Sequence, residues 1–543
     1  MELLKNNRLV LHLMMGILLT IIYPMQGLFS GNQNIYFLWG MADMLPNTFT
    51  ADLLLNSPDP YPLFNWLISI FPVQFLGVWT IMLYVFLSAV YSFSLFGIAN
   101  EVADLYRHKS RLFSFSALFL FLHSAPTWGT YLNLVSGVDL RWVWDSGIAE
   151  QGVLRGYLQP SVFGVFLLLS FYFAAHRNFS AAILAITPAA AIHANYLFLG
   201  GIMTVLHLIQ TRSEKRTILA SVVLLVSVLP YSIYLANNFF LLEAELKTAI
   251  EQAVLAGYES NIHLNPSNWI NPKFFIQLAV LTLGVFAVWN TRFRNFFLSI
   301  SGVAVVLTAI AYFTETTTLI SLNPSRFSIL LIPVSVSVLV AKLISAGTWN
   351  LLKPIIIALI GSICVMLVYY RIFGNSSSDF MNQWSVIHLS LSAGLVASTV
   401  WLSKWEWFSN SLNPLLIFAL IMVGITDIFI EQKTKSNSEQ FQVISKLKGA
   451  EPNTLYIIPP DWTSFRMNAQ KAVFVDENLV YGPALPRLMN RLGLVETNDH
   501  AKILSSISAG TTIKLIAPNS LQITQFISSE SITENYTCYV LRQ

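Results

Sequence analysis

Apolar residues run through this chain in long blocks, and polar residues gather in short stretches between them. A helix needs about 20 apolar residues to cross a bilayer, and fewer where protein shields it. That rule predicts a polytopic α-helical membrane protein of about 13 transmembrane helices, near residues 9–29, 70–97, 112–127, 159–175, 179–193, 195–210, 217–236, 274–290, 296–313, 326–344, 353–370, 385–402 and 413–430. Lys and Arg collect on the cytoplasmic side of such helices. With the N-terminus inside, the clusters RHKSR, TRSEKR and TRFRN fall inside. The outer loops then hold only Arg141, Arg155, Lys247, Lys273, Arg326 and Arg371. An odd number of spans places the tail outside. The first apolar segment follows Lys5 and Arg8 as a signal peptide would, but its length and the lack of a small-residue cleavage site predict a retained anchor.

The pattern changes after about residue 431. Beyond the polar linker EQKTKSNSEQ, short apolar runs (TLYIIPP, KAVFVD, TIKLIAP, CYVLR) alternate with helix-like segments. This predicts a transmembrane domain over 1–431 and a small extracytoplasmic α/β domain over 432–543 with a mostly parallel sheet. The tail has no GxGxxG and no P-loop, so docking or substrate gating is its expected role. Composition agrees with the division: 55% of residues are hydrophobic and 11% charged, and the mean hydropathy is +0.60. A net charge of +3 does not point to a nucleic-acid partner. Cys364 lies in an apolar run and Cys538 in the tail, so neither a disulfide nor a cysteine metal site is expected.

Three outer loops are long, 31–69, 128–158 and 237–273, and long loops usually carry function. The first bears Asp43, Asp52 and Asp59; the second bears Asp139, Asp145, Glu150, Arg141, Arg155 and Gln151 among Trp128, Trp142 and Trp144. Aromatic rings sit at the interface or stack on sugars, carboxylates bind a divalent metal or act as bases, and arginines hold phosphate. Transfer of a sugar from a phosphate needs a carboxylate to deprotonate the acceptor and a cation for the departing phosphate. Asp52 and Asp59 are the candidates for the base. Arg141, Arg155 and Arg326 are candidates for phosphate, with Trp142, Trp144 and Gln151 lining the substrate, and Asp139, Asp145 and Glu150 for a divalent metal ion. Arg326 follows Pro324 at the end of a span, where a charge is costly unless it works on something. The bland readings are solvated loop charges, belt tryptophans and a snorkelling arginine. His123 and His193 are read as packing residues, because no metal-ligand spacing joins them. The segment 239–261 is read as an amphipathic helix lying on the membrane surface.

With Tyr36, Met44, Leu45, Asp52, Pro62, Phe64, Trp66 and Leu67 the first loop resembles the GT-C superfamily of polytopic glycosyltransferases, in the branch of the aminoarabinose transferases and protein O-mannosyltransferases. The resemblance implies about thirteen spans, an outer α/β domain and a polyprenyl-phosphate sugar donor. Asn32, Gln33 and Asn34 stand where that family carries its catalytic acid, so either Asp52 or Asp59 has taken the role or the chemistry has been lost. A second resemblance, through QNIYFLWGMA, SPDPYPLF and NPSRFS, is to a family of bacterial polytopic membrane proteins without assigned activity. The expected function is glycosyl transfer from a lipid-linked sugar to an envelope glycan, lipid or protein at the periplasmic face of the bacterial inner membrane, alongside envelope glycan-assembly proteins. The alternatives are a surface-polysaccharide polymerase or ligase, and a non-enzymatic transporter, flippase or envelope-complex subunit.

Overall fold

The computed structural model describes residues 8–23, 28–29, 32–50, 52, 54–55, 57–124, 143–148, 151–211, 214–242, 266–315, 317–347, 438–447, 454–459, 465–473, 511–518, 526–533 and 535–541, with a few single positions between them. The first ten expected spans each coincide with a helix. These are α1 (Arg8–Ile22), α2 (Leu76–Ala103), α3 (Lys109–His123), α4 (Val165–Ala175), α5 (Phe179–Ile192), α6 (Ala194–Gln210), α7 (Lys215–Leu235), α8 (Pro272–Ala287), α9 (Arg294–Thr314) and α10 (Ser328–Ser345). The spans expected at 353–370 and 385–402, nearly all of 413–430, and most of the 239–261 segment lie outside the described residues. Val73–Ala103, Lys215–Phe239, Arg294–Thr314 and Pro324–Ser345 are long and apolar enough to cross a membrane.

Burial separates the helices into centre and rim. α10 is buried along most of its length. α7 and α9 instead leave Leu219, Val226 and Phe313 largely exposed, an apolar rim of the kind lipid covers. Small residues let the backbones close up. A Cβ on Gly16 of α1 would stand 2.6 Å from the Val85 carbonyl oxygen of α2, so only glycine fits that crossing.

The C-terminal sheet comprises β1 (Thr454–Ile457), β2 (Ala472–Val473), β3 (Thr512–Pro518), β4 (Phe526–Ser531) and β5 (Tyr536–Leu541), in the order β2-β1-β3-β5-β4. β1 runs parallel to both its neighbours, but β5 is antiparallel to β3 and β4. The sheet is therefore mixed, not mostly parallel. The link from β4 to β5 is a few residues long, too short for the crossover that parallel strands require. Successive side chains point to opposite faces. Leu455, Ile457, Ile513 and Leu515 join the hydrophobic core of the helices. Tyr456, Ile458 and Ile516 form a second core with Trp462, Phe465 and the helix α11 (Glu439–Leu447). One face of the tail thus packs on the helical body.

Candidate functional site

Three short helices, Gln33–Tyr36, Leu38–Met44 and Pro62–Ser69, fold the first loop over the end of the bundle. Gln33 and Asn34, at the position where an acid was expected, are buried. The Gln33 amide nitrogen donates to the Leu158 carbonyl at 3.0 Å, and its oxygen accepts from the Phe29 N–H at 2.8 Å. Gln33 therefore stitches the first loop to the second.

The described part of the second loop does not lie in solvent as a surface loop would. Val143, Asp145, Ser146, Val153, Leu154 and Leu158 are all buried. The segment is pinned at several points. Ile148 N–H donates to Ser328 Oγ at 2.8 Å, and Gln277 Nε2 donates to the Ser146 carbonyl at 3.0 Å. A Cβ on Gly147 would lie 2.0 Å from Ser328 Oγ and 2.6 Å from the Ile329 nitrogen, so the loop can meet the start of α10 only through glycine.

Arg326 sits on the 3-10 turn Pro324–Phe327 that leads into α10. The preceding Asn323 has φ 50°, a left-handed conformation that asparagine tolerates better than most residues. Arg326 Nε donates to Gln151 Oε1 at 2.9 Å, and Nη1 donates to His193 Nε2 at 2.9 Å. A guanidinium has no acceptor, so the histidine nitrogen facing it carries no proton. Burial, helped by the Arg326 charge, holds His193 well below the usual imidazole range. Among the described residues no carboxylate pairs with Arg326. Among the described residues the groups that hold it are neutral.

Tyrosines close the setting. The Tyr61 ring lies 5.4 Å from His193 and 5.0 Å, edge-on, from Tyr36. Tyr196 lies 4.7 Å from His193 and donates its hydroxyl to the Ser161 carbonyl at 2.6 Å. Burial raises the pKa of Tyr36 and Tyr61, so both remain neutral hydroxyls.

Asp59 is bound to the backbone of Tyr61. Its Oδ1 accepts from the Tyr61 N–H at 2.7 Å, and Asn65 Nδ2 donates to both oxygens at 2.9 and 3.1 Å. Burial pushes this half-buried carboxyl up to about 6 against those hydrogen bonds, and Asp43 adds to the rise. Asp52 has a different setting. It is 1% exposed, and its Oδ2 accepts from Arg466 Nε at 2.7 Å and from the Val473 N–H at 3.1 Å. The two carboxylates expected to compete for one role are thus separated: Asp59 is held by the Tyr61 backbone and the Asn65 amide, and Asp52 is tied to the tail.

Asp145 lies deeper, where burial raises it to about 6 against the pull of Tyr23 and Arg155. The buried Nε1 of neighbouring Trp144 has no hydrogen-bond partner among the described residues. Asp139, Arg141, Trp142 and Glu150 lie outside the described residues. Among the described residues no group of three or more His, Cys, Asp or Glu is placed to hold a metal. His193 is the residue that sequence reasoning passed over. Its one signal was its place in a tight turn at the loop end of two helices.

An apolar groove of about 230 Å³ opens between α8, α9 and α10, lined by Trp269, Phe274, Leu281, Tyr312, Leu331 and Ile332. Its lining includes Ile148 and Ser328, the latter two residues after Arg326 in the chain.

No family model matches the chain, and no curated protein matches its sequence. Solved structures do match. ArnT from Cupriavidus metallidurans bound to undecaprenyl phosphate is 11% identical, with 97% of each chain covered and a TM-score of 0.50. The same protein in the apo state is 13% identical over 98% of each chain, with a TM-score of 0.49. The resemblance first read from the 31–69 loop therefore extends to the architecture of nearly the whole chain, a membrane protein with the fold of ArnT.

Proposed function

We propose that this protein transfers a sugar from a polyprenyl-phosphate donor to an envelope acceptor, at the periplasmic face of a bacterial inner membrane. The observation that carries the reading is Arg326, a cation fixed by Gln151 and His193 with no described carboxylate to neutralise it, two residues before Ser328, which lines an apolar groove. Such a pairing suits a phosphate on a lipid tail. The match to a fold crystallised with undecaprenyl phosphate supports the same ligand class.

In this mechanism the phosphate meets Arg326 and the prenyl chain enters the groove. The Asp59 carboxylate takes the proton from the acceptor hydroxyl or amine as its heteroatom bonds to the anomeric carbon. The bond from that carbon to the phosphate oxygen breaks, and the electron pair leaves with the polyprenyl phosphate, whose charge Arg326 stabilises. Neutral His193 and the tyrosines orient the arginine and line the sugar. Asp145, a buried carboxyl whose pKa burial raises, supports a separate proposal that it joins Asp139 and Glu150 on a divalent ion. Product formation after chelation tests that addition.

The main test compares envelope glycans and lipid-linked intermediates by mass spectrometry in cells carrying the intact chain, a deletion, Asp59→Asn and Asp52→Asn. The reading expects the deletion and Asp59→Asn to lose one glycan and accumulate its lipid-linked precursor. Four matching profiles would overturn it.

A further inference from the structure

A buried ion pair joins two parts of the chain 414 residues apart. Arg466 belongs to the short helix α12 (Phe465–Ala469) of the tail, and Asp52 to the first loop. Both are 1% exposed and their atoms stand 2.7 Å apart. The contact is anchored on each side. Val473 N–H, on β2, also donates to Asp52 Oδ2, so the tail grips the carboxylate with a side chain and with a strand edge. On the loop side Asp52 Oδ1 accepts from the Leu54 N–H at 3.0 Å and closes a tight turn.

Hydrogen bonds run on from there as far as Ser57. The Leu54 carbonyl accepts from the Ser57 N–H at 3.0 Å and from its hydroxyl at 2.5 Å. The Ser57 carbonyl accepts from Trp39 Nε1 at 3.2 Å. Two residues on, Asp59 holds the Tyr61 N–H and the Asn65 amide. A buried pair contributes little net stability, because desolvation offsets its Coulomb energy, but it imposes one geometry. Specificity of placement is what this pair supplies.

We infer that Arg466 and Asp52 are positioning residues, through which the C-terminal domain holds the segment from Asp52 to Asp59 and so sets the place of the Asp59 carboxylate. The tail is then part of the framework of the site. This rests on Asp59 acting as proposed above for its consequence, but not for the contact itself. The groups facing Asp59 are Asp43, Tyr61, Asn65, Tyr231 and Tyr234, and loosening the turn would admit water among them.

Hydrogen–deuterium exchange on the full chain in lipid nanodiscs tests the inference with native protein, Arg466→Met, Arg466→Lys and Asp52→Asn. Arg466→Met should speed exchange across residues 52–65 by about tenfold or more, as expected for a local opening, while peptides from α10 keep native protection. Arg466→Lys, which keeps the charge, should lie between. In parallel, the acid limb of product formation should fall from about 6 toward the ordinary carboxylate range in Arg466→Met. If Arg466→Met does not fold, Asp52→Asn breaks the same pair from the loop side. Unchanged exchange over 52–65 overturns the inference, and so does faster exchange with an unmoved acid limb. If the native chain makes no glycan product at any pH, the transferase reading fails and the exchange result alone decides the clasp.

Discussion

Asp59→Asn should abolish transfer and at the same time stabilise the protein at neutral pH. The Asp59 carboxyl titrates near 6 in the fold against an ordinary 3.8. Between those values the folded state binds the proton more tightly than the unfolded state, so stability falls as pH rises through that window. Above about 6 the full cost of keeping a buried carboxylate is present, roughly 3 kcal/mol for a gap of that size. Asparagine carries no charge and removes this cost. It also replaces Oδ2 with an N–H₂ facing the Asn65 amide, 3.1 Å away in the native pair. Asn65 cannot turn to suit it, because Asn65 Oδ1 accepts from the Gly40 N–H. That mismatch should return about 1 kcal/mol, leaving a net gain of about 2 kcal/mol. The assay is thermal unfolding of native and variant protein in the same lipid at pH 7.5 and at pH 4. The variant should melt higher at pH 7.5 and level with or slightly below native protein at pH 4, where Asp59 is neutral in the fold and the amide mismatch remains. A variant that melts lower at pH 7.5, or a gain equal at both pH values, would refute the account of Asp59 as a strained carboxylate.

Transfer by native protein should rise with pH through about 6 as Asp59 loses its proton, and Asn65→Leu, which removes the amide donated to both oxygens, should move that limb upward by about one unit or more in a pH–rate profile. Arg326→Ala should weaken binding of undecaprenyl phosphate by roughly 10- to 100-fold, measured by native mass spectrometry, since a hydrogen bond to a charged group contributes about 1.5–3 kcal/mol. Leu331→Trp should fill the apolar groove and weaken undecaprenyl phosphate more than a short-chain prenyl phosphate in the same titration. Gly147→Ala should lower the melting temperature, because its Cβ would fall 2.0 Å from Ser328 Oγ and the overlap costs about 1–3 kcal/mol.

The sequence by itself determined where ten helices would form, because each is a long apolar block bounded by polar residues and the bilayer sets the length of such a block. It also determined that a small sheet with helices follows them, since short apolar runs between helix-like segments are legible without knowing their partners. Strand direction was not legible: β1, β2 and β3 are parallel but β5 reverses, a choice made by connection lengths and pairing that apolar runs do not encode. The site divided in the same way. Arg326 stood out because charge beside a span is costly and therefore conspicuous. His193 did not, because a lone histidine in a helix turn looks the same whether it packs or binds until the arginine 133 residues away is brought to 2.9 Å. Asp52 and Asp59 were indistinguishable as two acids of one loop. Only the tertiary structure separated them, by setting the 1%-exposed Arg466 of the tail against one and leaving the other to Tyr61 and Asn65. Local chemistry names the candidates, but a carboxylate's role depends on its desolvation and its partners, and both come from residues hundreds of positions away.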